Sequence, residues 1–228
     1  MQISIQADAK EAATSAADFI ANSLRRIVEQ QGLASLALSG GSTPKLMYTA
    51  LSALELPWQN IHILQVDERV VSDADQARNS LHIVERLVSQ VDVPASNWHP
   101  MPVEVTPLSR AAKQYSTELQ GCCAGRLDVI HLGLGDDGHT ASWPPDDSVQ
   151  NSAELVDSVR EFNGFDRLTL TPRAVNQARV VTWLVVGSDK SNILKRWQEQ
   201  DPQLPSSMAR RSEADALFTD KQAQCGPG

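Results

Sequence analysis

The chain has 228 residues, 41% hydrophobic and 21% charged, which excludes a disordered or collagen-like polymer and allows one large α/β domain or two small ones. Its net charge of -8 excludes a general nucleic-acid binder, which needs a basic stripe, but leaves room for a small local anion site. A chain this long buries a sizeable core without covalent staples.

In chain order, Ile3 and Ile5 mark a short strand. Residues 8–31 carry Ala12, Ala16, Phe19, Ile20, Leu24, Ile27 and Val28 at spacings of three and four, which predicts an amphipathic helix closed by Gly32. Residues 33–44 read as a buried strand, a Gly-rich turn and a helix opening at Thr43 or Pro44. Residues 61–69 are an apolar strand ending in charge, 78–90 a helix, 91–107 a Pro-rich connector and 108–121 a helix. Residues 126–139 form a strand that runs into a Gly/Asp loop. Two more strands are predicted at 167–172 and 178–187, then a helix at 188–200 with Ser188 as its cap. A last short strand over 215–223 precedes a frayed end at 224–228.

Alternation of strand and helix predicts an α/β fold with a mostly parallel sheet. No repeat, low-complexity tract or long linker divides the chain, so one domain over residues 1–228 is expected. Cys122, Cys123 and Cys225 cannot build a disulfide framework, which suggests a reducing compartment. The first thirty residues lack the basic start and apolar run of a signal peptide, and no membrane span is expected.

Polar loops follow three of the strands, where ligands bind in open α/β sheets. Ser39-Gly40-Gly41-Ser42-Thr43 joins a strand to a helix start, so backbone N–H groups can hold an anion, with the Ser42 and Thr43 hydroxyls as further donors. A plain turn with Thr43 as a helix cap is the competing reading. Gly133-Leu134-Gly135-Asp136-Asp137-Gly138 matches a dinucleotide fingerprint only literally, because two carboxylates would face a pyrophosphate. With His139 next, it reads better as acid/base chemistry. Asp67-Glu68-Arg69 alone is a solvated charge cluster, and Arg167 and Lys190 alone are surface cations. Set beside the Gly-rich loop in an acidic chain, the two cations are what a phosphate pocket requires. No nucleophile elbow and no zinc spacing occurs. His131 reads as a packed, hydrogen-bonded core histidine; the tryptophans read as core or rim, with Trp143 set apart by its closeness to His139.

Taken in order, LALSGGSTP, QVDERVV with Asn79, GLGDDGHTAS, RLTLTP and VVGSDK resemble the glucosamine-6-phosphate isomerase/6-phosphogluconolactonase family, over residues 36–190. The resemblance implies a Rossmann-like fold with helices on both faces of the sheet and a cytoplasmic location. It implies hydrolysis of 6-phospho-D-glucono-1,5-lactone in the pentose phosphate pathway, with no nucleotide cofactor and no metal. The expected partner is that small sugar phosphate rather than nucleic acid or membrane, and the chain is expected as a monomer or small homo-oligomer. By resemblance, Gly40, Gly41, Ser42 and Thr43 form the phosphate loop, with Arg167 and Lys190 as cationic ligands. Asp67 and Arg69 lie near the sugar ring, Asn79 beside them, and His139 is the base that activates water, next to Asp137. Two departures stand out: Arg78 precedes Asn79 where the family usually has Ser, and Trp143-Pro144-Pro145 replaces the common Leu-Phe-Pro. Alternatives are a glucosamine-6-phosphate deaminase/isomerase or a non-catalytic sugar-phosphate sensor. The deaminase needs a Glu five residues after the histidine, where this chain has Pro144. The sensor is usually fused to a basic DNA-binding module, and none is seen here.

Overall fold

The computed structural model describes residues 1–225. β1 (Gln2–Gln6) leads to the long helix α1 (Ala9–Gln31). Asp8 caps this helix by accepting the Glu11 N–H at 2.9 Å, and Glu11 reaches back to the Ala7 N–H. Gly32 closes it in the left-handed region at φ 84°, its N–H donated to the Val28 carbonyl at 2.8 Å. There follow β2 (Ala34–Leu38), α2 (Ser42–Ser52), β3 (Ile61–Gln65), β4 (Asp67–Arg69), α3 (Asn79–Arg86), β5 (Trp98–His99) and α4 (Leu108–Cys123). The second half holds β6 (Val129–Leu132), β7 (Val156–Phe162), β8 (Phe165–Leu170), α5 (Pro172–Gln177), β9 (Val180–Val185), α6 (Ser191–Gln198), β10 (Ala216–Asp220) and α7 (Lys221–Cys225).

Seven strands form a parallel sheet in the order β1-β10-β9-β6-β2-β3-β5. From β2 the chain builds outward through β3 to β5, and from β6 it builds the other way through β9 to β10. The order therefore reverses between β2 and β6, and a crevice opens beyond their carboxyl ends. Both faces of the sheet are covered. Ala12, Ala16, Ile20 and Leu24 of α1 pack with Met47 and Leu51 of α2 and Ile83 of α3 on one face. Ala111, Tyr115 and Leu119 of α4 pack with Leu194 and Trp197 of α6 on the other. Within β6, Val129 faces the first core while Ile130 and Leu132 face the second, which is why the strand reads as a continuous apolar run.

The fold class and most elements agree with the sequence reading, and several details differ. The segment 61–69 breaks at Val66: β3 stays in the parallel sheet, while β4 leaves it for a three-stranded antiparallel sheet of order β4-β8-β7. The predicted strand at 167–172 belongs to that small sheet rather than the parallel one. The helix predicted over 78–90 ends at Arg86, followed by a separate 3₁₀ turn at Val88–Gln90. Ser188 caps no helix: it opens a 3₁₀ turn without a side-chain cap bond, and Lys190 takes the cap position of α6. At the C-terminal end Gln224 and Cys225 are helical, and Gly226, Pro227 and Gly228 lie outside the described residues. Among the described residues no helix is long and apolar enough to cross a membrane.

Candidate active site

The Gly-rich loop leaves β2 at Ser39, whose hydroxyl donates to the His131 carbonyl of β6 at 2.9 Å. Gly41, at φ 123°, turns the chain into α2, which begins at Ser42 rather than Thr43 or Pro44. Thr43 is not the cap. Gly41 occupies that position, and no side chain bonds the first N–H groups of α2. Those donors face the cleft, the arrangement that favours an anion. Gly40 is required by close packing: a methyl group there would lie 1.8 Å from Asn79 Oδ1.

The second loop follows β6. The Gly135 N–H donates to the His139 carbonyl at 2.8 Å, and Thr140 Oγ1 donates to the Gly133 carbonyl at 2.8 Å, folding the segment into a tight hook. Asp137 Oδ1 accepts both the His139 backbone N–H (3.0 Å) and its ring Nδ1–H (2.5 Å). Nε2 is then the nitrogen left with a lone pair. The Phe162 ring meets the His139 ring edge-on with centroids 4.9 Å apart. A methyl group at Gly135 would lie 2.1 Å from that imidazole. Partial burial acts to raise the Asp137 pKa, but the His139 backbone N–H, charge and ring N–H outweigh it and leave the carboxyl below its ordinary value.

The small antiparallel sheet supplies the cleft floor. Asp67 is buried: one oxygen accepts from Ser142 Oγ (2.7 Å), the other from Asn79 Nδ2 (3.3 Å), and Arg167 Nη1 lies 3.6 Å away. Arg69 and Arg167 are ladder partners on β4 and β8. Arg69 donates to the Ala77 carbonyl at 2.6 Å, while its buried Nε has no partner among the described residues. Arg167 donates to the Phe162 carbonyl at 3.1 Å and stacks on the Phe162 ring at 4.9 Å. Burial is the main influence on its pKa and lowers it; Asp67 opposes and Arg69 adds to the fall. Arg167 is thus a buried, paired cation and not the surface residue that its sequence position alone suggests. Lys190 projects from the turn after β9 and pairs with Asp136.

These groups meet in one cleft of about 290 Å³. Every residue given a catalytic or binding role from sequence lines it except Asp137, which acts on it through His139. Sequence reading missed three contributors. Glu68, fully buried, accepts the backbone N–H groups of Arg69, Asn79 and Ser80 and the Gln65 side-chain N–H, each at 2.8 Å, and so ties β4 to the start of α3. Its place inside an Asp-Glu-Arg triplet was the available signal, obscured by the solvated-cluster reading. Ser142 orients Asp67, and Asp136 occupies Lys190. Two expectations need correction. His131 is buried, but neither ring nitrogen has a hydrogen-bond partner among the described residues, so it is packed but not hydrogen-bonded. Trp143 is core, fully buried with its Nε1–H donated to the Leu170 carbonyl at 2.7 Å. Among the described residues no cluster of three or more His, Cys, Asp or Glu is arranged to hold a metal ion.

Comparison with known proteins bears on this arrangement. The family model described as glucosamine-6-phosphate isomerases/6-phosphogluconolactonase matches residues 7–218. The chain is 38% identical over 188 residues to a 6-phosphogluconolactonase of Synechocystis, covering 79% of this chain and 78% of that protein. It is 39% identical over 181 residues to a 6-phosphogluconolactonase of Nostoc, covering 76% and 75%. The crystal structure of a 6-phosphogluconolactonase from Thermotoga maritima superposes with a TM-score of 0.88 at 28% identity, covering 96% of this chain and 99% of that one. A monomeric glucosamine-6-phosphate deaminase shares the fold, with a TM-score of 0.84 at 20% identity over 98% of each chain.

Proposed function

The chain belongs to the glucosamine-6-phosphate isomerase/6-phosphogluconolactonase family, and from that premise we propose that it acts on the lactone branch of the family's chemistry. It hydrolyses 6-phospho-D-glucono-1,5-lactone to 6-phospho-D-gluconate, the second step of the oxidative pentose phosphate pathway. The observation that carries the assignment of roles is the convergence, in one cleft, of an imidazole buttressed by a carboxylate and a helix start with free N–H groups.

The substrate is a strained cyclic ester that water already attacks slowly. It needs orientation and modest proton transfer more than a covalent nucleophile. In our reading the 6-phosphate sits on the amides of Gly40, Gly41, Ser42 and Thr43, with Arg167 and Lys190 neutralising its charge; Lys190 exchanges the Asp136 carboxylate for a phosphate oxygen. His139 Nε2 removes a proton from water as the oxygen attacks C1, and Asp137 stabilises the imidazolium that forms. The Arg69 guanidinium, which lines the cleft, stabilises the developing oxyanion. Asp67, fixed by Ser142 and Asn79, orients the sugar ring. His139 then returns its proton to the departing ring oxygen, opening the ring. Both sheets contribute to this one cleft, which supports treating residues 1–228 as one catalytic domain. The three thiols are free, and this accords with a cytoplasmic location as part of the same proposal.

Proton release from freshly prepared 6-phosphogluconolactone tests the activity. Turnover well above the spontaneous rate is expected, and a folded chain that adds nothing to that rate would overturn the reading. Ammonia release from glucosamine 6-phosphate should stay at background, because Pro144 offers no carboxylate at the position where the deaminase needs one.

A further inference from the structure

The two edges of the parallel sheet differ. At one end β5 has only two residues, the usual protection against unwanted pairing. At the other end β1 runs for five residues, Gln-Ile-Ser-Ile-Gln, with no charge and no proline. Ile3 and Ile5 are 50% and 52% exposed.

The directions of the backbone groups follow from the ladder. The Gln2 N–H donates to the Asp215 carbonyl at 2.8 Å while Gln2 sits opposite Ala216. In a parallel pair alternate residues bond the same neighbour, so Gln2, Ser4 and Gln6 face β10. The N–H and C=O groups of Ile3 and Ile5 point away from β10, to a side where no strand pairs with them among the described residues. An antiparallel partner must oppose outward-facing residues with outward-facing residues. The five residues read identically in both directions about Ser4. A second copy, turned by a two-fold axis through Ser4, therefore places Ile3 against Ile5 and Ile5 against Ile3, with four backbone hydrogen bonds. Ser4 then lies opposite Ser4, Gln2 opposite Gln6, and the four isoleucine side chains share one face. Because the strand carries no charge, the pairing brings no like charges together along the seam, although each chain is strongly acidic. We propose that β1 is a homodimerisation edge, at which two copies of this chain join their sheets into one of fourteen strands by self-complementary antiparallel pairing centred on Ser4.

Sedimentation velocity of the full chain across the micromolar range should show a concentration-dependent shift from one chain mass to two. Ile5→Pro removes an outward donor and leaves the β10 ladder intact; it should raise the dimer dissociation constant roughly 10- to 100-fold. In a Cys225→Ser background, Ser4→Cys should form a disulfide-linked dimer on mild oxidation, since the two Cα atoms face each other as a close non-hydrogen-bonded pair. Gln2→Cys, two positions from the axis, should not. A single chain mass at every concentration overturns the proposal, as does a dimer indifferent to Ile5→Pro or equal cross-linking by Ser4→Cys and Gln2→Cys. If Ile5→Pro fails to fold, the cross-linking comparison decides.

Discussion

The His139 imidazole is fixed from two directions: Asp137 holds Nδ1, and Phe162 packs against the ring. Removing the side chain breaks no large core contact, so His139→Ala should lower kcat roughly 10²- to 10⁴-fold with little change in melting temperature; activity within a few fold of wild type would strip His139 of the base role. The cations are separated by substrate. Charge-assisted hydrogen bonds contribute about 1.5–3 kcal/mol each, so Arg167→Ala or Lys190→Ala should reduce kcat/KM on the phosphorylated lactone roughly 10- to 150-fold. Unphosphorylated gluconolactone offers these groups nothing, and its poor turnover should barely change in Lys190→Ala. Arg167 is the harsher case because its loss also uncovers buried Asp67. Equal losses on both lactones in Lys190→Ala would remove that residue from the phosphate site.

Between elements, Glu68 is the joint that holds β4 and α3 in register. Glu68→Gln replaces one acceptor oxygen with a donor and leaves two buried N–H groups without a partner, at about 1–3 kcal/mol each. A loss of at least about 2 kcal/mol, or roughly 4–8 °C in Tm for a chain of this size, is expected from thermal unfolding, together with a raised KM as Asn79 and Asp67 shift. An unchanged Tm would show that the junction does not depend on this carboxylate. The same joint marks how far the sequence could be read. The loops after β2 and β6 were legible because glycine, capping groups and a histidine follow an unbroken apolar run. The small antiparallel sheet was not. Val66 continues the apolar pattern of β3 into β4, so nothing local announces that the strand changes sheets. In β7 the buried residues Val156, Val159 and Phe162 recur every third position, and the bulge between Val159 and Phe162 erases the two-residue alternation that would have declared a strand. The partners of Asp67 come from α3, the loop after β6 and β8, a convergence that only the assembled fold creates.

For the whole molecule, the buried, unpartnered His131 links stability to pH. Burial lowers its pKa to about 3, against 6.5 when unfolded. Below 6.5 the unfolded chain therefore binds a proton that the folded chain refuses. The contribution of the neutral ring is complete above pH 6.5 and is lost as pH falls toward 3, with a slope of at most about 1.4 kcal/mol per pH unit. Urea unfolding at pH 5 and pH 7.5 should show the wild type weaker at pH 5 and the difference reduced in His131→Leu; identical pH dependence in the two proteins would clear this residue. One feature of the large sheet has a temporal meaning as well. β1 is made before the other described strands, and its ladder within the chain is with β10, the last of them. At synthesis rates of about 5–20 residues per second, roughly 10 to 40 seconds separate the two strands as they leave the ribosome. For that interval β2, β3 and β6 can assemble around α1 and α2, while the first strand waits beside a gap that only the last strand can fill. The order of the sheet thus makes closure of this edge wait on residues 216–220, and a nascent chain released before residue 216 has every catalytic residue but an unfinished edge.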